Sequence, residues 1–177
     1  MMHRVALLIG GNQGDRQALI EQATELIRQR IGSVVAVSKI HETAPWGEFE
    51  EERGERGEES GERGVGNFLN RALLVETHLL PHDVLREALT IEDELGRRRK
   101  ESGATSSSPR RLYHSRTMDI DLIFYDDAIV DTPDLQIPHP RAHLRRFVLE
   151  PLAEIMPDYR HPISGMSVVE LLAGLHG

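Results

Sequence analysis

The order of strand-like and helix-like segments most restricts the fold of this 177-residue chain. Four segments are rich in apolar and β-branched residues, and two have apolar residues at helical spacing from Asp15 and from Pro81. The strand-like segments are 4–12, 33–43, 67–79 and 117–125. The order β-α-β-β-α-β is that of a split βαβ, ferredoxin-like fold. We therefore predict an α+β domain in which one antiparallel sheet carries both helices on the same face.

Breaker residues set the predicted limits of these elements. Glycine is the poorest ordinary helix former, so the first helix should end at Gly32 and the second near Gly96. Asp126 and Asp127 should turn the fourth strand into a short return strand, "AIVD". The tail should add Pro-rich turns and a last helix near 167–175, which makes it a C-terminal extension of the fold.

The composition is that of an ordinary globular domain, and it excludes several classes of protein. Apolar residues make up 39% of the chain and charged residues 28%, which suits a single domain over residues 1–177. Cysteine is absent, which excludes disulfides and thiolate chemistry and fits a cytoplasmic protein. No apolar stretch is long enough to cross a bilayer, and the net charge of −8 argues against nucleic-acid binding. We expect no membrane partner and a monomer or weak dimer.

Two long segments without apolar periodicity are predicted to be mobile loops. Residues 48–66 contain eight Glu, three Arg and five Gly, so this segment carries −5 of the total charge of −8. Residues 97–115 are basic and rich in serine. Because neither segment has enough apolar surface to bury, we exclude both from the predicted fold and interpret 48–66 as a solvated insertion.

The fourth strand carries an unusual pair of acidic residues. In "TMDIDLIFY" the side chains of Asp119 and Asp121 point to the same face, because successive side chains in a strand alternate. Met118, Ile120 and Leu122 would then point toward the helices. Two carboxylates roughly 7 Å apart repel each other unless cations lie beside them, and hard oxygen ligands suit Mg²⁺. The pair is a candidate metal site, although the exposed face of an antiparallel sheet also accounts for alternating aspartates.

Basic residues precede this strand. Residues 97–100 are all Arg or Lys, and Arg110, Arg111 and Arg116 follow them. Guanidinium groups bind phosphate oxygens in pairs, so carboxylates for metal beside arginines for phosphate favour a nucleotide site. Cations at the end of a helix account adequately for Arg97 to Arg99, but not for the three arginines nearer the strand.

Two other local patterns are less specific. The segment "GGNQGD" (10–15) lacks the Gly-Lys-Ser/Thr ending of a P-loop and the glycine spacing of the dinucleotide fingerprint, so we interpret it as a tight strand-to-helix turn. In "IPHPR" (137–141) two prolines restrict the backbone around His139. This imidazole could hydrogen-bond a phosphate or serve a purely structural role.

Taken together, five segments resemble the 6-hydroxymethyl-7,8-dihydropterin pyrophosphokinase family of folate biosynthesis. They are "LLIGGNQGD" near the start, "ETAPWG" (42–47), "NFLNRALLVET" (67–77), "SRTMDIDLIFYDD" (115–127) and "IPHPRAHLRRFVLEPLAEIMPD" (137–158). The set is specific, although no part is specific alone. The resemblance implies transfer of a pyrophosphoryl group from ATP to the hydroxymethyl group of the pterin, with release of AMP. It also implies two Mg²⁺ ions held by Asp119 and Asp121.

The resemblance further implies the other site residues. Those implied to be catalytic are Arg97, Arg116, Asp119 and Asp121. Those implied to bind ATP are Leu85, Arg97, Arg99, Arg116, Leu122, Gln136, His139 and Arg145. Those implied to bind the pterin are Thr43, Ala44, Trp46, Phe68, Asn70, Tyr113, Asp119 and Phe147. Among them Tyr113 and Phe147 would stack on the heterocycle.

Two other functions stay open at this point. A metal-dependent nucleotidyltransferase could use the same aspartates, but it would release pyrophosphate in place of AMP. A non-catalytic ferredoxin-like module could bind a nucleotide or a partner for regulation, and its binding would survive the loss of Asp119 and Asp121.

Overall fold

The computed structural model describes residues 1–11, 15–43, 68–101 and 118–175, with only the backbone for 97–101. The strands are β1 (His3–Gly11), β2 (Ser33–Val37), β3 (His41–Thr43), β4 (Phe68–Thr77), β5 (Asp119–Tyr125), β6 (Val130–Thr132) and β7 (Leu135–Ile137). The helices are α1 (Arg16–Arg30), α2 (Pro81–Glu101), α3 (Arg146–Ile155) and α4 (Val168–Ala173), and a 3₁₀ turn spans Ala142–Leu144. The acidic segment 48–66 lies outside the described residues, so its predicted mobility stays a prediction.

The main sheet confirms the predicted α+β, ferredoxin-like arrangement. Its strands follow the order β2-β4-β1-β5, with β3 also paired to β4, and every pairing is antiparallel. The two central strands, β1 and β4, are in register from His3↔Thr77 to Gly11↔Leu69. β5 lies at one edge of the sheet, so its outer side is available to other elements.

Apolar cores lie on both faces of this sheet. In β1, Val5, Leu7 and Ile9 belong to the core that includes residues of α1 and α2, whereas Ala6 and Leu8 belong to the core with α3 and α4. The alternation follows from the pleat of the strand. The prediction that the first two helices share one face is therefore confirmed, and the C-terminal helices cover the opposite face.

A β-bulge in β5 changes which residues face each core. Leu7 pairs with Leu122, but the preceding residue of β1 pairs with Phe124. Ile123 is thus an extra residue on β5. Leu122 packs with α1 and α2, whereas Ile123 and Phe124 both pack with α3 and α4. The C-terminal half of the strand is therefore buried on the same face on which its N-terminal half carries aspartates.

The predicted strand over 33–43 is interrupted in the middle, so that prediction was wrong in its extent. Ser38 is buried between β2 and β3, and its N–H donates to the Ala72 carbonyl at 2.9 Å. Its Oγ accepts the Ala72 N–H at 3.0 Å. This side chain replaces a backbone carbonyl as the acceptor for β4. The register with β4 therefore shifts by one residue between β2 and β3, and pairing resumes at His41.

Replacing Ser38 by alanine is expected to lower the free energy of unfolding by about 1–2 kcal/mol, because the buried Ala72 N–H loses its acceptor. Urea unfolding of the two proteins would measure the difference. The matched control is Ser33→Ala, at an exposed position of β2, which should change the free energy by less than about 0.5 kcal/mol. Equal effects at the two positions would contradict this role for Ser38.

The end of α2 also differs from the prediction. The helix continues past Gly96 to Glu101, so the predicted loop over 97–115 was wrong for 97–101, while 102–115 lies outside the described residues. A single glycine inside a helix costs only about 1 kcal/mol. A Cβ at Gly96 would meet nothing within 4 Å, so no close contact ends the helix there.

Two predictions for the C-terminal third need correction. The return strand after β5 exists at Val130–Thr132, but it pairs with β7 and not with β5. The segment interpreted as Pro-rich turns contains α3, since the buried Val148, Leu149 and Leu152 stabilise a helix despite Pro151. The last helix lies where it was predicted, at Val168–Ala173. Among the described helices, none has both the length and the apolar character that a bilayer crossing requires.

Candidate active site

β5 presents both aspartates on the sheet face that α3 and α4 cover further along the strand. Met118 and Ile120 belong to the core with α1 and α2. Asp119 and Asp121 alternate with them and therefore lie on the opposite face. Asp119 is half-buried and Asp121 is exposed. The structure thus places the two carboxylates on one face of β5, opposite to the face that packs against α1 and α2.

A cleft of about 360 Å³ opens beside this pair. Its walls come from α2, from β5 and from the chain between β6 and the His-Pro turn. Four residues that the family resemblance implied for ATP line it together with the two aspartates, namely Leu85, Leu122, Gln136 and His139. These residues are far apart in the sequence, so the fold brings them together.

Two hydrogen bonds on the outer side of β5 fix its place in the cleft. The Ile120 N–H donates to Oε2 of Glu92 on α2 at 2.7 Å. The Ile123 carbonyl, at the bulge, accepts the His139 N–H at 3.0 Å. The Glu92 bond therefore fixes β5 to α2 between the two aspartates. The Ile123 bond fixes the turn that carries His139 to β5.

The environment of His139 favours a neutral imidazole. Its Nδ1 accepts the Arg141 N–H at 3.2 Å, so the neutral ring carries its proton on Nε2. Burial lowers the pKa of His139 below its ordinary value, and the positive charges of Arg145 and Arg141 lower it further. At neutral pH this side chain is an uncharged hydrogen-bond donor on the wall of the cleft.

The stability of the protein is expected to fall in mild acid partly through His139. Because its pKa is lowered in the folded state, the unfolded chain takes up the proton first as the pH falls below its ordinary value of 6.5. This contribution is therefore fully present above 6.5 and is lost as the pH falls through the folded pKa. Urea unfolding between about pH 7.5 and pH 5 should show a smaller loss in His139→Asn, which retains an acceptor for the Arg141 N–H. Parallel pH profiles of the two proteins would contradict this assignment.

One row of residues crosses the sheet at the level of Asp119. Asp119 pairs with Gly10 of β1, and Gly10 pairs with Asn70 of β4. The backbones of Asn70 and Asp119 are therefore about 10 Å apart, which is two strand spacings. The Asn70 side chain lies over Gly10, where a Cβ would overlap Asn70 Oδ1 and come within 2.9 Å of the Leu69 carbonyl oxygen. This close approach requires glycine at position 10.

Other residues implied for the pterin lie on the same face of the sheet. Thr43 pairs with Phe68, and Phe68 lies two positions from Asn70 along β4, so their side chains point to the same side. Phe147, in the first turn of α3, packs against the core on that face. The Arg145 guanidinium carbon lies 5.6 Å from the centroid of the Phe147 ring, within the range of a cation–π contact. Thr43, Phe68 and Asn70 thus lie at the same end of the sheet as Asp119, and Phe147 packs on the same face.

The sequence model of the family described as 7,8-dihydro-6-hydroxymethylpterin-pyrophosphokinase (HPPK) matches residues 6–157. The chain belongs to this family. A curated protein of Porphyromonas gingivalis, named 2-amino-4-hydroxy-6-hydroxymethyldihydropteridine pyrophosphokinase, is 35% identical over 159 residues, which covers 89% of this chain and 93% of that protein. A protein of the same name from Methylorubrum extorquens is 37% identical over 175 residues, which covers 98% of this chain and 94% of that one.

Solved structures show the same fold. The crystal structure of Plasmodium falciparum HPPK-DHPS with pterin and p-hydroxybenzoate superposes with a TM-score of 0.67 at 16% identity. The match covers 98% of this chain but only 43% of that one, so this HPPK-family chain corresponds to less than half of the Plasmodium protein.

In this HPPK-family chain the aspartate pair has the donor set that suits Mg²⁺. Among the described residues, no group of three or more His, Cys, Asp or Glu could hold a metal ion. Mg²⁺ is commonly bound by one or two carboxylates, with water and substrate phosphates as its remaining ligands. Asp119 and Asp121 on the wall of an open cleft therefore fit this ion, whereas catalytic zinc usually takes three protein ligands.

Several implied HPPK site residues are not described. Ala44, Trp46, Tyr113 and Arg116 lie outside the described residues, and for Arg97 and Arg99 only the helical backbone is described. The roles assigned to these six residues stay predictions.

Sequence reasoning missed two residues of this candidate site. Gly10 was placed both at the end of the predicted strand 4–12 and in the turn over 10–15, but it received no role, whereas in β1 it admits the Asn70 side chain. Glu92 received no role, although its spacing from Leu85 and Leu89 on α2 places all three on one helix face. A carboxylate on an otherwise apolar stretch of that face was the signal that could have identified Glu92.

Proposed function

We propose that the chain transfers the pyrophosphoryl group of ATP to the hydroxymethyl group of 6-hydroxymethyl-7,8-dihydropterin, releasing AMP, as a step in folate biosynthesis. The family to which it belongs is named for this activity. The observation that carries the proposal is the position of Asp119 and Asp121. They line a cleft with residues implied for ATP. Asp119 is also paired, through Gly10, with Asn70, which is implied for the pterin.

Asp119 and Asp121 would hold two Mg²⁺ ions. Glu92 and Asp134 line the same cleft, so its described charged side chains are acidic, and a triphosphate would bind there only with compensating positive charge. Bound Mg²⁺ supplies that charge, polarises the phosphates and lowers the pKa of a coordinated hydroxyl. Because Asp119 lies in both the cleft and the row, we propose that it contacts both substrates.

The ATP site would combine neutral and charged groups. His139 would donate from Nε2 to a phosphate oxygen, since its Nδ1 is already occupied by a backbone N–H. Arg145 would offset charge on the same phosphates. Leu85, Leu122 and Gln136, which line the cleft, would surround the base.

Arginines from the segment that precedes β5 would complete this site. We propose that Arg97, Arg99 and Arg116 bind phosphate oxygens, and that Arg97 and Arg116 stabilise the charge that develops on the leaving α-phosphate. Guanidinium groups suit both tasks because they donate two parallel hydrogen bonds and stay charged.

The pterin would lie on the sheet face between Asn70 and the aspartates. Asn70 is only 7% exposed, so its amide is a fixed donor and acceptor that can recognise the polar edge of the heterocycle together with Thr43. Phe147 would stack on one side of the ring system and Tyr113 on the other. Ala44, Trp46 and Phe68 would line the rest of the pocket.

Product analysis tests this function. The chain is mixed with ATP, Mg²⁺ and the hydroxymethyl pterin, and nucleotides and phosphates are separated by chromatography. We expect AMP and the pterin diphosphate, both dependent on the pterin. Release of pyrophosphate in place of AMP would indicate a nucleotidyltransferase. Nucleotide binding without any turnover would indicate a non-catalytic module.

A further inference from the structure

Two buried histidine nitrogens lack hydrogen-bond partners in the part of the chain that the structure describes. They are Nε2 of His161, a residue only 5% exposed, and Nδ1 of His143. The two rings lie 5.6 Å apart between centroids and are inclined by 69°. Buried polar atoms are nearly always hydrogen-bonded, so two such atoms on neighbouring rings require an explanation.

Backbone contacts fix the tautomer of His161. Its Nδ1 accepts the N–H of Ile163 at 3.2 Å and the N–H of Ser164 at 3.3 Å. Because the Nδ1 lone pair is used, the neutral ring carries its proton on Nε2. Nε2 is therefore a hydrogen-bond donor and has no lone pair for a metal ion. On the neighbouring ring, Nδ1 of His143 is a nitrogen that can accept a hydrogen bond and that also lacks a partner among the described residues.

The position of His143 connects this pair to the proposed ATP site. His143 lies in the 3₁₀ turn that directly precedes Arg145. The C-terminal segment contacts the same region a second time, because Arg146 donates to the Leu175 carbonyl at 3.3 Å. The tail of the chain therefore supports the turn that presents Arg145.

His161 is itself held by the core. Its ring packs edge-on against Phe124 of β5, with centroids 5.9 Å apart. Its N–H donates to the Met166 carbonyl and its carbonyl accepts the Gly165 N–H, both at 2.8 Å. Because the His161 ring is fixed against β5, a contact from it to His143 would fix the 3₁₀ turn relative to β5.

We infer that His161 is a positioning residue for Arg145. Its Nε2–H pairs with Nδ1 of His143, after a small ring rotation or through one water molecule, and this pair holds the turn that orients the arginine toward ATP. The inference rests on the proposed function, in which Arg145 binds ATP phosphates. Loss of the pair should weaken ATP binding and leave the pterin side and the chemical step unchanged.

Steady-state kinetics of His161→Phe test this role. The variant keeps a ring of similar size but has no N–H, so KM for ATP should rise about tenfold while kcat changes less than about twofold. KM for the pterin should stay unchanged. The double variant with His143→Phe should be no worse than either single variant, because both remove the same contact. His78→Phe, at an exposed position beyond β4, is the matched control and should behave as the parent.

Amide replacements separate positioning from a merely structural role. His161→Gln places an amide N–H near the position of Nε2 and should bring KM for ATP back to within about threefold of the parent. His161→Asn has its amide near Nδ1 and should leave KM raised. Equal increases for Phe, Asn and Gln, or a parallel fall in kcat, would overturn the inference.

Nitrogen-15 NMR of the histidine side chains tests the pair without turnover. We expect His161 in the Nε2–H tautomer, with a slowly exchanging proton whose resonance shifts in His143→Phe. An Nδ1–H tautomer, or a resonance that does not respond to that change, would overturn the inference. Absence of AMP formation in the parent protein would instead count against the proposed function, so the two failures are distinguishable.

Discussion

Replacing Asp119 by asparagine is expected to lower kcat for pterin-dependent AMP formation by about 10³-fold and to leave the fold intact. Asparagine keeps the size of the side chain but removes the charge that would hold a cation against the triphosphate, and losses of this kind cost about 10²–10³ in kcat. Asp119 is half-buried on the open face of β5, so the free energy of unfolding should change by less than about 1 kcal/mol. An AMP assay and urea unfolding of the same preparation measure the two effects.

The matched control for this prediction is Asp127→Asn. Asp127 is an exposed aspartate just beyond the end of β5, outside the cleft. The Asp127→Asn variant should retain turnover. This would show that the loss of kcat in Asp119→Asn depends on the position of the carboxylate and not on net charge. Near-normal turnover in Asp119→Asn would remove the metal assignment, and the cleft would then need another source of positive charge.

Replacing Gly10 by alanine should disturb the proposed pterin side selectively. The new Cβ would overlap Asn70 Oδ1 and crowd the Leu69 carbonyl, so the buried Asn70 amide must move. We expect KM for the pterin to rise about tenfold or more, with a smaller change in KM for ATP. The free energy of unfolding should also fall by about 1–3 kcal/mol, as in other overpacked cores. Steady-state kinetics with each substrate varied in turn, together with urea unfolding, would measure these effects.

Gly174→Ala is the control for this variant. It is the same substitution, but its Cβ would make only ordinary contacts of 3.6 Å, at the end of α4. Stability and both KM values should stay close to those of the parent protein. If Gly10→Ala also left the pterin KM unchanged, Asn70 would not be the residue that recognises the pterin.

The sequence was sufficient for the order of elements in the main sheet because continuous apolar runs mark β1 and β4, and apolar residues at helical spacing mark α1 and α2. It failed where a single side chain or a tertiary contact overrides local preference. The Ser38 hydroxyl accepts a hydrogen bond that a strand carbonyl would otherwise accept. The β-branched residues around it made the whole segment look like one strand. Pro151 argues against a helix, yet burial of Val148, Leu149 and Leu152 outweighs it. The choice of β7 as the partner of β6 depends on contacts in the folded chain, which the spacing of apolar residues does not predict.

The site could be predicted only in part from the residues themselves. Alternation places Asp119 and Asp121 on one face of a strand, and that geometry needs no relative for comparison. The neighbours of the pair depend on strand register, which aligns Asp119 with Gly10 and Asn70. Register and the approach of α2 through Glu92 are set by the whole fold, so sequence patterns alone did not show them.

The bulge at Ile123 restricts where residues can be inserted into or deleted from β5. The C-terminal half of β5 is anchored by Phe124 in a packed core, so removing the extra residue would shift the aspartates by one position along the strand. Both carboxylates would then point into the core beneath α1 and α2, where burying two charges is prohibitive. Insertions and deletions among relatives should therefore collect before Met118 and after Tyr125, and spare the stretch between them.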